Sequence, residues 1–340
     1  MKKTITITLS LMLTAFLAVN TGCGNKTTGP ASSSGVSLYE MVPADASGVF
    51  TLNIKKLSSL SVFDKMQKDI ANDDFTGKDK FFKNYEDFVD KTGIDPKKDL
   101  YSVVIAVFGD MKAKSPEFSI IANLKYDKTK ILSILKEKVK PLTEESYLGS
   151  TIYKFKDEKE KDIAMSFIAP DLISAGTPVA LKKTLDLSKG KIKSLETNKK
   201  IMGFLKRIKG DPILSFVFPI PPELRAVKGS GMFRMDLSKA EAVIGHANYS
   251  GTDWTGNIIL ISQNEDGNKK MKTSLDGLKG FGAMAGPEFA ELVNSINISA
   301  SPENLTISIS ISNELLEKLK KKAKKKIGNM KDESVPSFNR

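Results

Sequence analysis

The chain has 340 residues, a formal net charge of +12, one cysteine and one histidine. A lone cysteine excludes an internal disulfide and a lone histidine excludes a multi-histidine metal site, so stability is expected to come from packing. The basic excess is no nucleic-acid signature, because residues 318–340 hold nine basic residues against two acids and the rest of the chain is close to neutral.

Lys2 and Lys3 open the chain, residues 5–19 form an apolar run of 15 residues, and Asn20-Thr21-Gly22-Cys23 closes it. The run is shorter than the ~20 residues that a spanning helix requires and reads as a secretory signal. With Gly22-Cys23 at its end, the segment resembles the signal peptide of bacterial lipoprotein precursors. That resemblance covers only the first 23 residues. It implies cleavage after residue 22, acylation of the Cys23 thiol, and an exported protein anchored to a membrane of the bacterial envelope. The plainer alternative is an ordinary signal with Cys23 an incidental thiol. Residues 23–37 are rich in Gly, Ser and Thr and read as a flexible tether.

Beyond the tether, residues 49–54 alternate as a strand, and Ser61 opens a helix carrying Val62, Phe63, Met66 and Ile70 on one face. A helix over 81–91 ends at Thr92-Gly93. Residues 102–108 are almost uniformly apolar, as in a strand buried on both faces. A strand over 118–124 leads to a helix with Ile131, Leu132, Leu135 and Val139 inward. Residues 151–156 alternate, and 163–168 and 172–175 form a hairpin about Ala169-Pro170-Asp171. Thr177-Pro178 starts a helix, with Thr177 as its cap.

From residue 195 the series begins again: a helix with Ile201, Phe204 and Leu205, a strand over 213–218, a strand pair over 240–248 and 255–262, and a helical stretch over 269–278. Strands over 296–300 and 305–312 turn at Ser301-Pro302-Glu303-Asn304, and a helix follows from Asn313 to Gly328. Both halves therefore end in strand, X-Pro-acid turn, strand, helix. The fold class predicted is α+β, a largely antiparallel sheet with helices on one face and an internal duplication of one α+β unit. The expected parts are a signal (1–22), a tether (23–37), a first unit (38–190), a second unit (191–327) and a tail (328–340).

Few residues invite chemistry. His246 lies within a strand and reads as a packed residue, no spacing implies a metal site or cofactor, and no catalytic residue is assigned. Gly277, Gly280, Gly282 and Gly286 read as a mobile loop before a short helix at Pro287, without a phosphate-binding motif. Residues 264–268 read as a tight turn, lacking the spaced acids of a calcium loop. Phe218, Ile220, Met232 and Phe233 mark a long loop with apolar tips, a candidate surface for a partner or ligand. Lys318, Lys320, Lys321, Lys322, Lys324, Lys325 and Lys326 crowd the last helix and are expected to reach solvent, where they would meet anionic lipid or another envelope polymer. The expected function is that of a lipid-anchored envelope protein of binding or scaffolding type, not an enzyme. The alternatives are a carrier or receptor for an apolar ligand such as lipid, and a hydrolase using carboxylates or a Ser/Lys pair.

Overall fold

The computed structural model describes residues 37–63, 85–109, 116–157, 160–225, 237–284 and 286–332. Cys23, the signal and residues 23–36 of the tether lie outside the described residues, as do Met232, Phe233, Met66 and Ile70. The described chain separates into two compact units, with the division at Pro219/Ile220.

The first unit contains β1 (Ala46–Asn53), α1 (Ile54–Ser58), α2 (Tyr85–Thr92), β2 (Leu100–Phe108), β3 (Glu117–Leu124), α3 (Lys128–Lys138), β4 (Thr143–Tyr147), β5 (Ser150–Lys156), β6 (Asp162–Ala169), β7 (Leu172–Gly176), α4 (Pro178–Ser188), α5 (Lys199–Leu205) and β8 (Leu214–Pro219). Its strands lie in the order β8-β1-β2-β3-β7-β6-β5-β4, with antiparallel pairing throughout. The boundary differs from the 190/191 expected, because β8 pairs with β1 from Val49↔Val217 to Leu52↔Leu214. An additional strand, β4, precedes the one anticipated at 151–156 and pairs with it.

Alternation along the strands sends neighbouring side chains to opposite faces. Tyr153, Met165 and the half-buried Phe167 and Ile173 pack with Leu135 and Val139 at α3 and just beyond it. Their neighbours Ile152 and Ala164 pack with Leu181 and Leu185 of α4. Helices of this unit therefore pack on both faces, which corrects the expectation of helices on one face only. Between β3, β7 and α4 sits a buried hydroxyl group of three: Ser119 Oγ lies 2.9 Å from Ser174 Oγ and 3.1 Å from Thr184 Oγ1. Pro178 occupies the first turn of α4 as expected, but Thr177 does not cap it. Its hydroxyl instead hydrogen-bonds Glu117 and accepts from Phe118 N at 3.3 Å, tying α4 to the start of β3.

The second unit contains α6 (Pro222–Arg225), β9 (Ala240–Tyr249), β10 (Asp253–Ser262), α7 (Glu265–Ala283), α8 (Pro287–Asn294), β11 (Ile296–Ala300), β12 (Asn304–Ser312) and α9 (Asn313–Asp332). Its strands lie in the order β9-β10-β12-β11, again antiparallel. In the first unit β2-β3-β7-β6 has the same connectivity: a strand pair, a crossover with a helix, a second pair added in reverse, then a helix. The α+β class, the antiparallel sheet and the duplicated unit are therefore seen directly in the strand pairing.

Residues 264–283 correct two expectations. The tight turn and the glycine loop are one helix, α7, which continues through Gly277, Gly280 and Gly282. Asn264 Oδ1 accepts the Gly267 N–H at 3.0 Å, while Glu265 and Asp266 place negative charge at the helix start. Met271 and Leu275, one turn apart, pack on Leu260, Ile298 and Leu305. That packing outweighs the poor helix propensity of glycine, ~1 kcal/mol per residue.

Candidate functional site

The lysine-rich helix α9 leaves β12 without a break. Leu315 N donates to Ser312 Oγ at 3.1 Å and Asn313 N to Thr252 O at 3.1 Å, so two first-turn amides are satisfied at the sheet. Leu315 and Leu316 are buried. Helix α8 enters through Gly286, whose φ of 123° lies where L side chains are strained, and Pro287 occupies its first turn.

The described lysines reach solvent as expected, and three of them also pair with acids at the surface, where their side chains stay 37–43% exposed. Lys318 Nζ lies 2.9 Å from Glu314 and 3.5 Å from Glu291 of α8. Lys320 pairs with Glu317 at 3.2 Å. Lys322 reaches Glu288 of α8 at 2.6 Å and stands 5.1 Å from the centroid of the Phe289 ring. Hydrogen bonding to Glu314 holds the Lys318 pKa up, and the Lys322 hydrogen bond holds the Glu288 carboxyl below its usual range. The cause is spacing: acids three and four residues before the lysines share their helix face, and α8 offers two more. Lys321 is exposed. Lys324, Lys325 and Lys326 continue the helix, but their side chains lie outside those described.

The pair Glu288 and Glu291, and the apolar residues beside them, were not anticipated. Met284, just past α7, is 83% exposed and Phe289 of α8 is 38% exposed. The Glu-x-x-Glu spacing of α8 against the lysines of α9 was the available signal.

The other candidate surface is not a loop tip where it is described. Phe218 belongs to β8, and its ring covers Gly48 so closely that a Cβ there would fall 2.2 Å from it. Ile220 is buried against Ala240, Leu260 and Met271. Its N–H donates to Glu241 O at 2.8 Å, and its carbonyl accepts from Arg225 Nη2 at 2.9 Å. Extended pairing persists to this point because the apolar run 213–220 has cores to fill.

His246 is held in a cross-strand chain. Ser308 Oγ donates to Asn257 Oδ1 at 2.6 Å, which directs Asn257 Nδ2 toward His246 Nε2 at 3.3 Å. With Nε2 accepting, the proton of the neutral ring sits on Nδ1, which is buried without a hydrogen-bond partner among the described residues. Burial pushes the imidazole pKa down. Ser308 is not activated by the ring, since its own hydrogen goes to the amide. Among the described residues no group of three or more His, Cys, Asp or Glu is placed to hold a metal ion, and no helix is long and apolar enough to cross a membrane.

No family model matches the chain, and no curated protein does. Solved structures of TP0453 are similar. Crystal form III gives a TM-score of 0.49 at 13% identity over 84% of this chain and 97% of the other. Form I gives 0.46 at 12% and form IV 0.44 at 12%, each over 83% of this chain and 95% of the other. A likeness this distant says nothing of function.

Proposed function

We propose that this is an exported bacterial envelope protein, anchored by acylation of Cys23, that binds or scaffolds and performs no chemistry. The observation that carries the reading is the N-terminal sequence: two lysines, an apolar run too short to span, and Gly22-Cys23 followed by a spacer. Two or more acyl chains make such anchoring stable, whereas one holds only marginally. The His246 chain is compatible with the non-enzymatic part of the reading: the imidazole accepts from the Asn257 amide, whose oxygen takes the Ser308 hydrogen.

Cys23→Ser decides the anchoring. The variant is expected to lose labelling by a fatty-acid analogue and to leave the membrane fraction. Labelling that persists in the variant removes the lipid anchor from the proposal.

A further inference from the structure

Among the described residues of the second unit, Met284 and Phe289 are the large apolar side chains left exposed. They flank the junction of α7 and α8. The only other such residues in the described chain are Val179 and Ile192, in the first unit. The junction is also where the basic helix arrives: Lys322 Nζ contacts the Phe289 ring, and Lys318 reaches α8 through Glu291. Helix α9 carries eight lysines against three acids. Glu288, Glu291, Glu314 and Glu317 match Lys318, Lys320, Lys321 and Lys322 in number, so the positive excess of this helix comes from the lysines that follow, Lys324, Lys325, Lys326 and Lys331, against Asp332.

We infer that this junction is a membrane contact of its own, separate from any lipid on Cys23, in which Met284 and Phe289 enter the interfacial layer of a bilayer while the lysines of α9 meet anionic head groups. An apolar side chain left in water beside a cation is the arrangement an interface accommodates. The apolar part moves toward the acyl boundary and the charge stays among the head groups. Positive charge supplies attraction to anionic lipid that salt weakens, and the apolar pair supplies attraction that salt does not weaken. A nucleic acid would use the lysines and leave Met284 and Phe289 in water. The occupant that uses both is a bilayer surface carrying anionic lipid. The inference rests on the reading that the protein works at a membrane.

The test uses the chain from residue 23 onward with Cys23→Ser, so that acylation plays no part, and measures co-flotation with phosphatidylcholine vesicles with and without phosphatidylglycerol. Binding is expected only when phosphatidylglycerol is present, and to weaken with salt. Met284→Ser with Phe289→Ser is expected to lower the affinity by on the order of tenfold or more, because two apolar groups no longer leave water. Lys321→Gln with Lys322→Gln is expected to lower it and flatten the salt dependence. In a Phe289→Trp variant, emission is expected to shift to the blue on adding vesicles, while the buried Trp254 gives a constant background. All four positions are at the surface, so the unfolding midpoint reports whether each variant is intact. The inference is overturned by absence of binding to anionic vesicles, or by binding that is unchanged in the Met284→Ser, Phe289→Ser variant. No shift in the Phe289→Trp variant under binding conditions overturns it equally. Fatty-acid labelling of Cys23 is measured separately, so failure of the lipid anchor and failure of this contact are distinct results.

Discussion

Replacing Gly277 and Gly280 by alanine tests whether the glycine-rich stretch is helix, as α7 has it. At both positions a Cβ built on the backbone meets nothing within 4 Å, and neither has a positive φ. An added methyl group therefore costs nothing sterically and limits the freedom of the unfolded chain, a gain of ~1 kcal/mol at each position. The two positions are neighbours on one helix face, three residues apart, so together they are worth at most about 2 kcal/mol. With a urea dependence of about 2 kcal/mol per molar, the unfolding midpoint of the second unit should rise by up to roughly 1 M. The only tryptophan of the chain, Trp254, lies in this unit and is 1% exposed, so its fluorescence reports this transition. Gly282 is the internal control. A Cβ there falls 2.7 Å from Val293 Cγ2 of α8, so Gly282→Ala must displace Val293 and should give no gain or a loss. If Gly277→Ala and Gly280→Ala leave the midpoint unmoved or lower it, the helical reading of residues 277–283 fails. If Gly282→Ala stabilises as much as the others, the packing of α8 on α7 fails.

Gly176→Ala should be far more damaging, by roughly 3 kcal/mol or more, because its Cβ would fall 2.1 Å from the Phe118 carbonyl oxygen, a backbone atom that cannot turn aside. A urea titration followed by circular dichroism reads it, and a loss below ~1 kcal/mol would contradict the close approach of β7 to β3. His246 sets a pH dependence. Its folded pKa lies below the ordinary value of 6.5, so the unfolded chain takes up the proton first as pH falls. Stability from this group is complete above 6.5 and is lost as pH drops from there through the folded pKa. His246→Gln should remove that part of the slope, and an identical slope in the variant would show that the ring is not desolvated.

Most of the strand content was legible because alternation survives in the sequence. Thr306, Ser308 and Ser310 alternate with Leu305, Ile307, Ile309 and Ile311, and β12 pairs as that pattern requires. The duplication was legible from the order of elements alone, since strand, turn, strand, helix recurs with different residues. Two kinds of feature were not legible. Helix α7 is held by a few buried side chains, Met271 and Leu275 among them, against the local preference of its glycines; tertiary packing overrode propensity there. The ion pairs of α9 needed knowledge of α8, because Glu288 lies 34 residues before Lys322 and no local spacing joins them.

The two copies of the repeated unit agree in their strand order and differ in the crossover between the inner strand pairs. In the first copy that crossover carries α3 and then the β4–β5 hairpin, which extends the sheet. In the second it carries α7 and then α8, and the chain returns directly to β11. A crossover is the least constrained part of such a unit: lengthening it costs little loop entropy and leaves the paired strands untouched. It is therefore where one copy can acquire a surface that the other lacks. The hairpin of the first copy buries Ile152 and Tyr153 and leaves a short edge strand whose Glu144 and Glu145 discourage pairing with another chain. The helix of the second copy does the reverse, since α8 buries no residue fully and its junction with α7 keeps Met284 and Phe289 in water beside the lysines of α9. With the strand scaffold shared, the copies differ in what the crossover carries, and substitutions at Met284 or Phe289, which lie outside the strands, should leave the pairing of β9, β10, β12 and β11 unaltered.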